Sequence, residues 1–233
     1  FSFGLNASQV RTLLTQAAQT AFARPVTWRD HARRLAFHTG IGAKYDAGGL
    51  IDMLKGLFGE ACLGELGRPT LALSYNAETM RVQVFSSEHA EHAHLPIWEV
   101  CRASSAAPLF FDPHMMVVDD SGKPYPMVDG GVTANNPVVI ALSEAVQSAR
   151  RSHRDATAEH VVVASFGTGE PTEGSRTVPK TIFGHTSTIL RAMITGATGT
   201  DHVTARTLLP AHNYWRFQTS IPARLEPLDE VEN

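Results

Sequence analysis

The sequence predicts an α/β sandwich formed by one large domain, because helical and strand-like segments alternate along the chain. Residues 160–165 include three successive valines and are followed by Gly167 and Gly169, which is typical of a strand covered on both faces. With 233 residues, 43% of them hydrophobic and 18% charged, the chain can bury a sizeable core. We therefore expect a single domain over residues 1–233, with strand 160–165 central in the sheet and parallel to its neighbours.

Composition and charge exclude several classes of function. The net charge is −3, and the scattered lysines and arginines form no basic stripe for nucleic acid. The sequence shows neither an apolar run long enough to span a membrane nor a signal peptide. Cys62 and Cys101 lack the spacing of a metal or redox site, which predicts buried free thiols in a reducing compartment. We expect a cytoplasmic protein, with membrane association or export as an effector left open.

The N-terminal third predicts two helices. Asn6 and Gln9 have the spacing of a capping box and precede apolar residues at helical intervals, so the first helix should begin here and be closed by Pro25. Residues 29–42 are typical of a helical or irregular connector. Asp46 can cap a second helix, which Gly59 should end.

Further elements follow from β-prone runs, turn residues and helix signals. Runs at residues 70–75 and 80–85 predict a hairpin or two neighbouring strands, and runs at residues 115–118 and 125–128 predict a second hairpin, with the strand order left open. Helices are predicted at residues 97–105 and 187–195. A further helix is predicted to begin with Asn136 as its N-cap and Pro137 as its first residue. A last strand is predicted at residues 214–218.

The most informative motif is Asp129-Gly130-Gly131, which follows an apolar run and precedes a helix start. Two glycines let the backbone turn sharply and let another segment approach the carboxylate. A carboxylate in hydrogen-bond reach of a serine hydroxyl can take its proton during attack, provided that the pKa of the carboxyl is raised. The alternative is a turn aspartate that only caps a backbone N–H.

Several motifs, in order along the chain, resemble the patatin-like phospholipase family. The first two are a helix with a Phe-Gly stop at residues 45–59 and a helix leading to an Ala-Pro segment at residues 98–113. The Asp-Gly-Gly motif with its Asn-Asn-Pro follows at residues 127–137. A strand ending in Gly-Thr-Gly at residues 165–169 and a late strand at residues 214–218 complete the set. The resemblance implies a three-layer α/β/α sandwich with a mainly parallel central sheet. It also implies a lipid acyl hydrolase that uses a serine–aspartate dyad and no cofactor or metal.

By this resemblance Asp129 is the base, with Gly130 and Gly131 as its motif. No serine of the chain stands in a Gly-x-Ser-x-Gly elbow, so we expect the nucleophile and the glycine-rich oxyanion loop upstream of Phe1, and no esterase activity from residues 1–233 alone. The implied partners are a lipid or phospholipid at a membrane surface or micelle and a regulatory domain or activator. The competing interpretation is an inactive patatin-fold binding or regulatory module.

Other candidate groups have simpler interpretations. The histidine-rich segment from His89 to His94, with Glu91, matches no established metal spacing and is expected to be a solvated loop. Ser104 and Ser105 lack a nucleophile motif and should pack as small residues. Cys101 beside Arg102 could be a reactive thiolate, but its apolar helix favours burial. Gly-Thr-Gly at residues 167–169 lacks the Lys-Ser/Thr of a phosphate loop and should close a strand.

Overall fold

The computed structural model describes residues 6–22, 27–39, 41–171 and 182–221. The helices are α1 (Ala7–Ala21), α2 (Trp28–His38), α3 (Gly48–Phe58), α4 (Ile97–Ser104), α5 (Gly131–Ala134), α6 (Val138–Arg151) and α7 (Ile182–Leu208). The strands are β1 (Leu71–Asn76), β2 (Arg81–Ser86), β3 (His114–Val117), β4 (Pro124–Asp129), β5 (Val163–Phe166), β6 (Glu170–Pro171), β7 (Tyr214–Phe217) and β8 (Ser220–Ile221). The chain divides into two compact units, the first reaching to Val132 and the second starting at Thr133. The α/β class predicted from the sequence is confirmed.

The first two helices begin with capping boxes. In α1 the Asn6 side chain accepts the Gln9 N–H at 3.0 Å, and the Gln9 side chain accepts the Asn6 N–H at 2.9 Å, as predicted. The second helix, α2, was predicted only as a helical or irregular connector. Thr27 and Asp30 form its reciprocal cap, and their spacing in the sequence is the signal of a helix start. The predicted stop at Pro25 lies outside the described residues.

In the first unit, the predicted hairpins join into a four-stranded sheet with the order β2-β1-β4-β3. Every neighbouring pair in this sheet is antiparallel. The expectation of a mainly parallel sheet is therefore not confirmed by these four strands, since the short turn inside each hairpin joins antiparallel strands and β1 also pairs antiparallel with β4. Parallel pairing occurs in the second unit, between β5 and β7 and between β6 and β8.

Helix α4 packs on this sheet and closes the main core of the first unit. Phe85 and Met127 are 0% exposed, and Val100 of α4 is 1% exposed. A second cluster packs α1 and α3 around aromatic rings, with the Phe22 and Tyr45 centroids 5.3 Å apart. Helix α3 starts at Gly48, whose N–H donates to the Asp46 side chain, and ends before Gly59, as predicted within two residues.

The second unit packs α6 and α7 together around a core that includes one face of the β5–β7 pair. The parallel pairing of β5 is confirmed, but its expected coverage on both faces is not. The side chains of Val162 and Phe166 are 63% and 74% exposed, and that of Phe217 on β7 is 51% exposed. Alternate residues of a strand face opposite sides, and Val161 and Val163 pack against the helical core whereas Val162 does not. Among the described residues, β5 pairs only with β7.

None of the helices in the described part of the chain is both long and apolar enough to cross a membrane.

Replacing Phe85 by Ala should lower the free energy of unfolding by about 3–5 kcal/mol, because it leaves a cavity in a core whose neighbours are fully buried. Chemical denaturation measures the change. Met115→Ala on β3 removes a large apolar side chain that is 54% exposed, and it should change the free energy by no more than about 0.5 kcal/mol. Equal losses in both variants would contradict the core assigned to this unit.

Candidate active site

Asp129 is the last residue of β4 and is held by hydrogen bonds on two sides. It lies opposite Ser74 in the β1–β4 register, and its N–H donates to the Ala106 carbonyl at 3.0 Å. The buried Ser74 hydroxyl lies 2.6 Å from the Val128 carbonyl and 3.1 Å from the Ala103 carbonyl. These bonds join β1, β4 and the end of α4, so the backbone that carries the carboxylate is fixed by three elements.

Gly130 must be glycine because its backbone touches β1. A Cβ atom at this position would lie 2.6 Å from the Leu73 carbonyl carbon and would overlap the carbonyl oxygen. The neighbouring atoms belong to a backbone inside a sheet and cannot move aside as a flexible side chain would. The prediction that a glycine here permits close approach is confirmed, and the approaching segment is β1.

The Asp129 carboxylate is half-buried and has one fixed oxygen. Its Oδ1 accepts the Gly131 N–H at 2.7 Å, whereas no donor in the described part of the chain contacts Oδ2. Burial raises the pKa of the Asp129 carboxyl above its ordinary value, and the hydrogen bond from Gly131 opposes that shift. The geometry therefore contains the turn cap considered for this motif, and it also leaves the second oxygen able to accept a proton.

Comparison with known proteins identifies the setting of this carboxylate. Residues 4–142, which include the whole Asp-Gly-Gly motif, match the family described as "Patatin-like phospholipase". The chain belongs to the patatin-like phospholipase family. The resemblance predicted from the sequence motifs is thereby confirmed.

Similar curated proteins are patatins and patatin-like proteins of plants. "Patatin-like protein 4" of Arabidopsis thaliana is 26% identical over 54% of this chain and 34% of its own length. "Probable inactive patatin-like protein 9" of the same plant is 32% identical over 46% of this chain and 29% of its own length. "Patatin-2-Kuras 4" of Solanum tuberosum is 27% identical over 64% of this chain and 43% of its own length. The chain thus spans about a third of the length of such relatives.

The serines near the end of α4 have structural roles in this patatin-like chain. The Ser105 hydroxyl donates to the Cys101 carbonyl at 2.8 Å, the usual back-bond of a serine at a helix end. Ser104 is the last residue of α4 and is half-buried.

Burial raises the pKa of the Cys101 thiol to about 11, so this cysteine is a neutral thiol at neutral pH. Cys62 and Cys101 are both free thiols, as predicted, but each is only partly buried.

The histidine-rich segment is only in part the solvated loop that the sequence predicted, because Glu91 and His94 are exposed but His92 is buried. The structure brings His89, Glu91 and His92 together, with possible ligand atoms within 4.8 Å of one another. However, His92 is only 5% exposed, and its Nδ1 accepts the Ser86 N–H at 3.3 Å. That bond leaves the proton of the neutral ring on Nε2, so a metal on Nε2 would require the ring to give up the bond. We therefore assign His92 a structural role that fixes the segment after β2.

In the second unit, a polar network that the sequence analysis missed lies at the end of β5. The Arg216 guanidinium donates to the Ser165 hydroxyl at 2.8 Å, and the Ser165 hydroxyl lies 3.4 Å from the Asn136 side-chain oxygen. Asn136 is therefore not the predicted N-cap of α6, and Pro137 occupies that position without a side-chain cap. The residues are 29 and 51 positions apart, which is why no local pattern indicated the network.

Gly167 and Gly169 close β5, as the sequence predicted. The Gly167 N–H donates to the Phe217 carbonyl at 2.9 Å, and the Gly169 N–H donates to the Gln218 side chain at 3.2 Å. A Cβ atom on Gly167 would lie 2.6 Å from Nη2 of Arg216. Both amides are thus used inside the protein, and the turn continues the β5–β7 pairing rather than forming a phosphate loop.

Substituting Gly130 by Ala should destabilise the protein by about 1–3 kcal/mol and displace Asp129, because the added methyl group overlaps the β1 backbone. Thermal unfolding measures the effect. Gly56→Ala is the matched control, since it lies on the exposed side of α3 with nothing within 4 Å of its Cβ position. The control should raise stability by up to about 1 kcal/mol, as alanine favours helix. A Gly130→Ala protein as stable as this control would show that the contact with Leu73 is absent.

Proposed function

We propose that this chain supplies the general base of a lipid acyl hydrolase, with Asp129 as that base and a serine outside residues 1–233 as the nucleophile. The observation that supports this most directly is the half-buried Asp129 carboxylate, held through Oδ1 by Gly131 and without a described partner on Oδ2. Membership of the patatin-like phospholipase family supports hydrolysis of lipid esters in general. The substrate we propose is a lipid or phospholipid presented by a membrane surface or micelle.

In this proposal Oδ2 of Asp129 takes the proton of the serine hydroxyl as its oxygen attacks the ester carbonyl carbon. The tetrahedral intermediate then collapses, the ester C–O bond breaks, and the leaving alcohol receives that proton from Asp129. Water releases the fatty acid from the acyl-serine in the same way, with Asp129 taking a proton from the water and returning it to the serine. Backbone N–H groups outside this chain would stabilise the oxyanion.

The environment of Asp129 suits this role. An ordinary aspartate, with a pKa of about 4, is a weak base at neutral pH. Burial beside the sheet makes the carboxylate more basic, and the hydrogen bond from the Gly131 N–H stabilises its negative charge. A carboxylate with both oxygens capped would keep a low pKa and would have no free oxygen for the serine proton.

The second candidate function is a patatin-fold module that binds lipid or a partner without catalysis. One observation favours it: the relative with 32% identity carries the name "Probable inactive patatin-like protein 9". The two candidates differ in whether the complete protein contains a serine elbow and a glycine-rich oxyanion loop. Sequencing the upstream coding region distinguishes them directly.

In the complete protein, Asp129→Asn should lower kcat for ester hydrolysis by about 10²–10⁴-fold, because Asn cannot accept the serine proton. Steady-state kinetics on a phospholipid and on a p-nitrophenyl acyl ester measure the loss. The same variant should be at least as stable as the wild type at pH 7, because Asn removes a partly buried charge. Since the folded-state pKa of Asp129 is raised, its contribution to stability is present in acid and is lost as the pH rises through that pKa.

Asp120→Asn is the control, because this aspartate is exposed in the turn between β3 and β4. It should leave both activity and stability unchanged. If Asp129→Asn lost stability at pH 7 in proportion to activity, Asp129 would be only a turn cap. If Asp129→Asn retained full activity, the assignment of the base would be wrong.

A further inference from the structure

A groove in the second unit runs along one side of α6 and has a volume of about 660 Å³, within the range of small-molecule sites. Its walls and floor are contributed by α6, by the turn before β5 and by the end of α7, through Val139, Leu142, Ser143, Val146, Gln147, Arg150, Arg151, Ala158 and Leu208. We call this feature the α6 groove. It belongs wholly to the second unit and includes none of the residues discussed as a catalytic site.

The α6 residues of the groove recur every three or four positions, so they form a single stripe along the helix. From Val139 to Arg150 the stripe extends over 12 residues, a rise of about 16 Å along the helix. Val139 and Val146 are half-buried, and Leu208 is 50% exposed, so the floor presents apolar side chains that the core of the unit does not fully cover. The groove therefore has an apolar floor, and the exposed side chains of Ser143 and Gln147 add polar groups beside it.

One end of the groove carries an uncompensated positive charge. Arg151 forms an ion pair with Glu144 at 3.4 Å. Arg150 is exposed, and no carboxylate in the described residues lies within ion-pair distance of it. The negative end of the α6 dipole lies nearby, but it corresponds to only about half a charge, so the full charge of Arg150 dominates. The groove thus joins an apolar trough to a cationic end.

The geometry points to a binding site for one fatty acid in the α6 groove, with the alkyl chain along the apolar stripe and the carboxylate at Arg150. The apolar floor suits a chain, the length matches an extended chain of medium length, and the charge at the end complements a carboxylate. A membrane surface fits less well, because the groove is concave and a flat bilayer cannot follow it. This inference does not depend on the hydrolysis proposed above, since it concerns binding alone.

Isothermal titration of the complete protein with sodium dodecanoate, below the concentration at which micelles form, tests the site. Dodecanoate should bind, whereas butyrate, which lacks the chain, and dodecyltrimethylammonium, which reverses the charge, should bind more weakly. Arg150→Gln should weaken dodecanoate binding by about two- to fivefold, which lies within the range for an exposed ion pair. Ser143→Trp should abolish binding, because the exposed Ser143 lines the groove and an indole would fill it.

Arg81→Gln is the matched control, since Arg81 is an exposed arginine on β2 in the other unit. It should leave dodecanoate binding unchanged. Thermal unfolding of each variant establishes that it is folded, and both groove substitutions are at exposed positions. The inference is overturned if the wild type does not bind dodecanoate, if Ser143→Trp binds as the wild type does, if the cationic amphiphile binds equally well, or if Arg150→Gln behaves as Arg81→Gln does.

Discussion

The contact between Gly130 and the Leu73 carbonyl group constrains the candidate site more than any other interaction. It leaves no room for a side chain at this position, so β4 approaches β1 closely and ends at Asp129. The turn that follows then brings the Gly131 N–H to the Asp129 carboxylate at 2.7 Å. The position, orientation and partial burial of the carboxylate all follow from this packing of one backbone on another.

The electrostatics of Asp129 result from two opposing effects of the same packing. The sheet and α4 exclude water around the end of β4, which raises the pKa of the carboxyl, and the Gly131 N–H supports the ionised form. Burial is the larger effect. A strand end beside a fully buried residue such as Met127 thus holds a carboxylate that is more basic than one in solution. The ionised carboxylate therefore lowers the free energy of unfolding at neutral pH.

Features encoded by neighbouring residues were predictable from the sequence, and features that depend on distant contacts were not. The Asn6–Gln9 cap and the two hairpins were correctly predicted, because each depends on a few adjacent residues. Helix α2 was missed although Thr27 and Asp30 carried its signal. The burial of His92 and the Arg216–Ser165 bond could not be predicted, since both depend on how separate segments pack. Asp129 was selected through its motif, whereas only the structure shows one free carboxylate oxygen.

The pH dependence of fluorophosphonate labelling tests most directly whether Asp129 accepts the proton of a serine nucleophile. In the complete protein, the labelling rate of the serine should rise with pH through one ionisation, at a pKa above the value of about 4 for an ordinary aspartate. In Asp129→Asn that ionisation should be absent and the labelling slow at every pH. Equal rates and equal pH profiles for the two proteins would contradict the account.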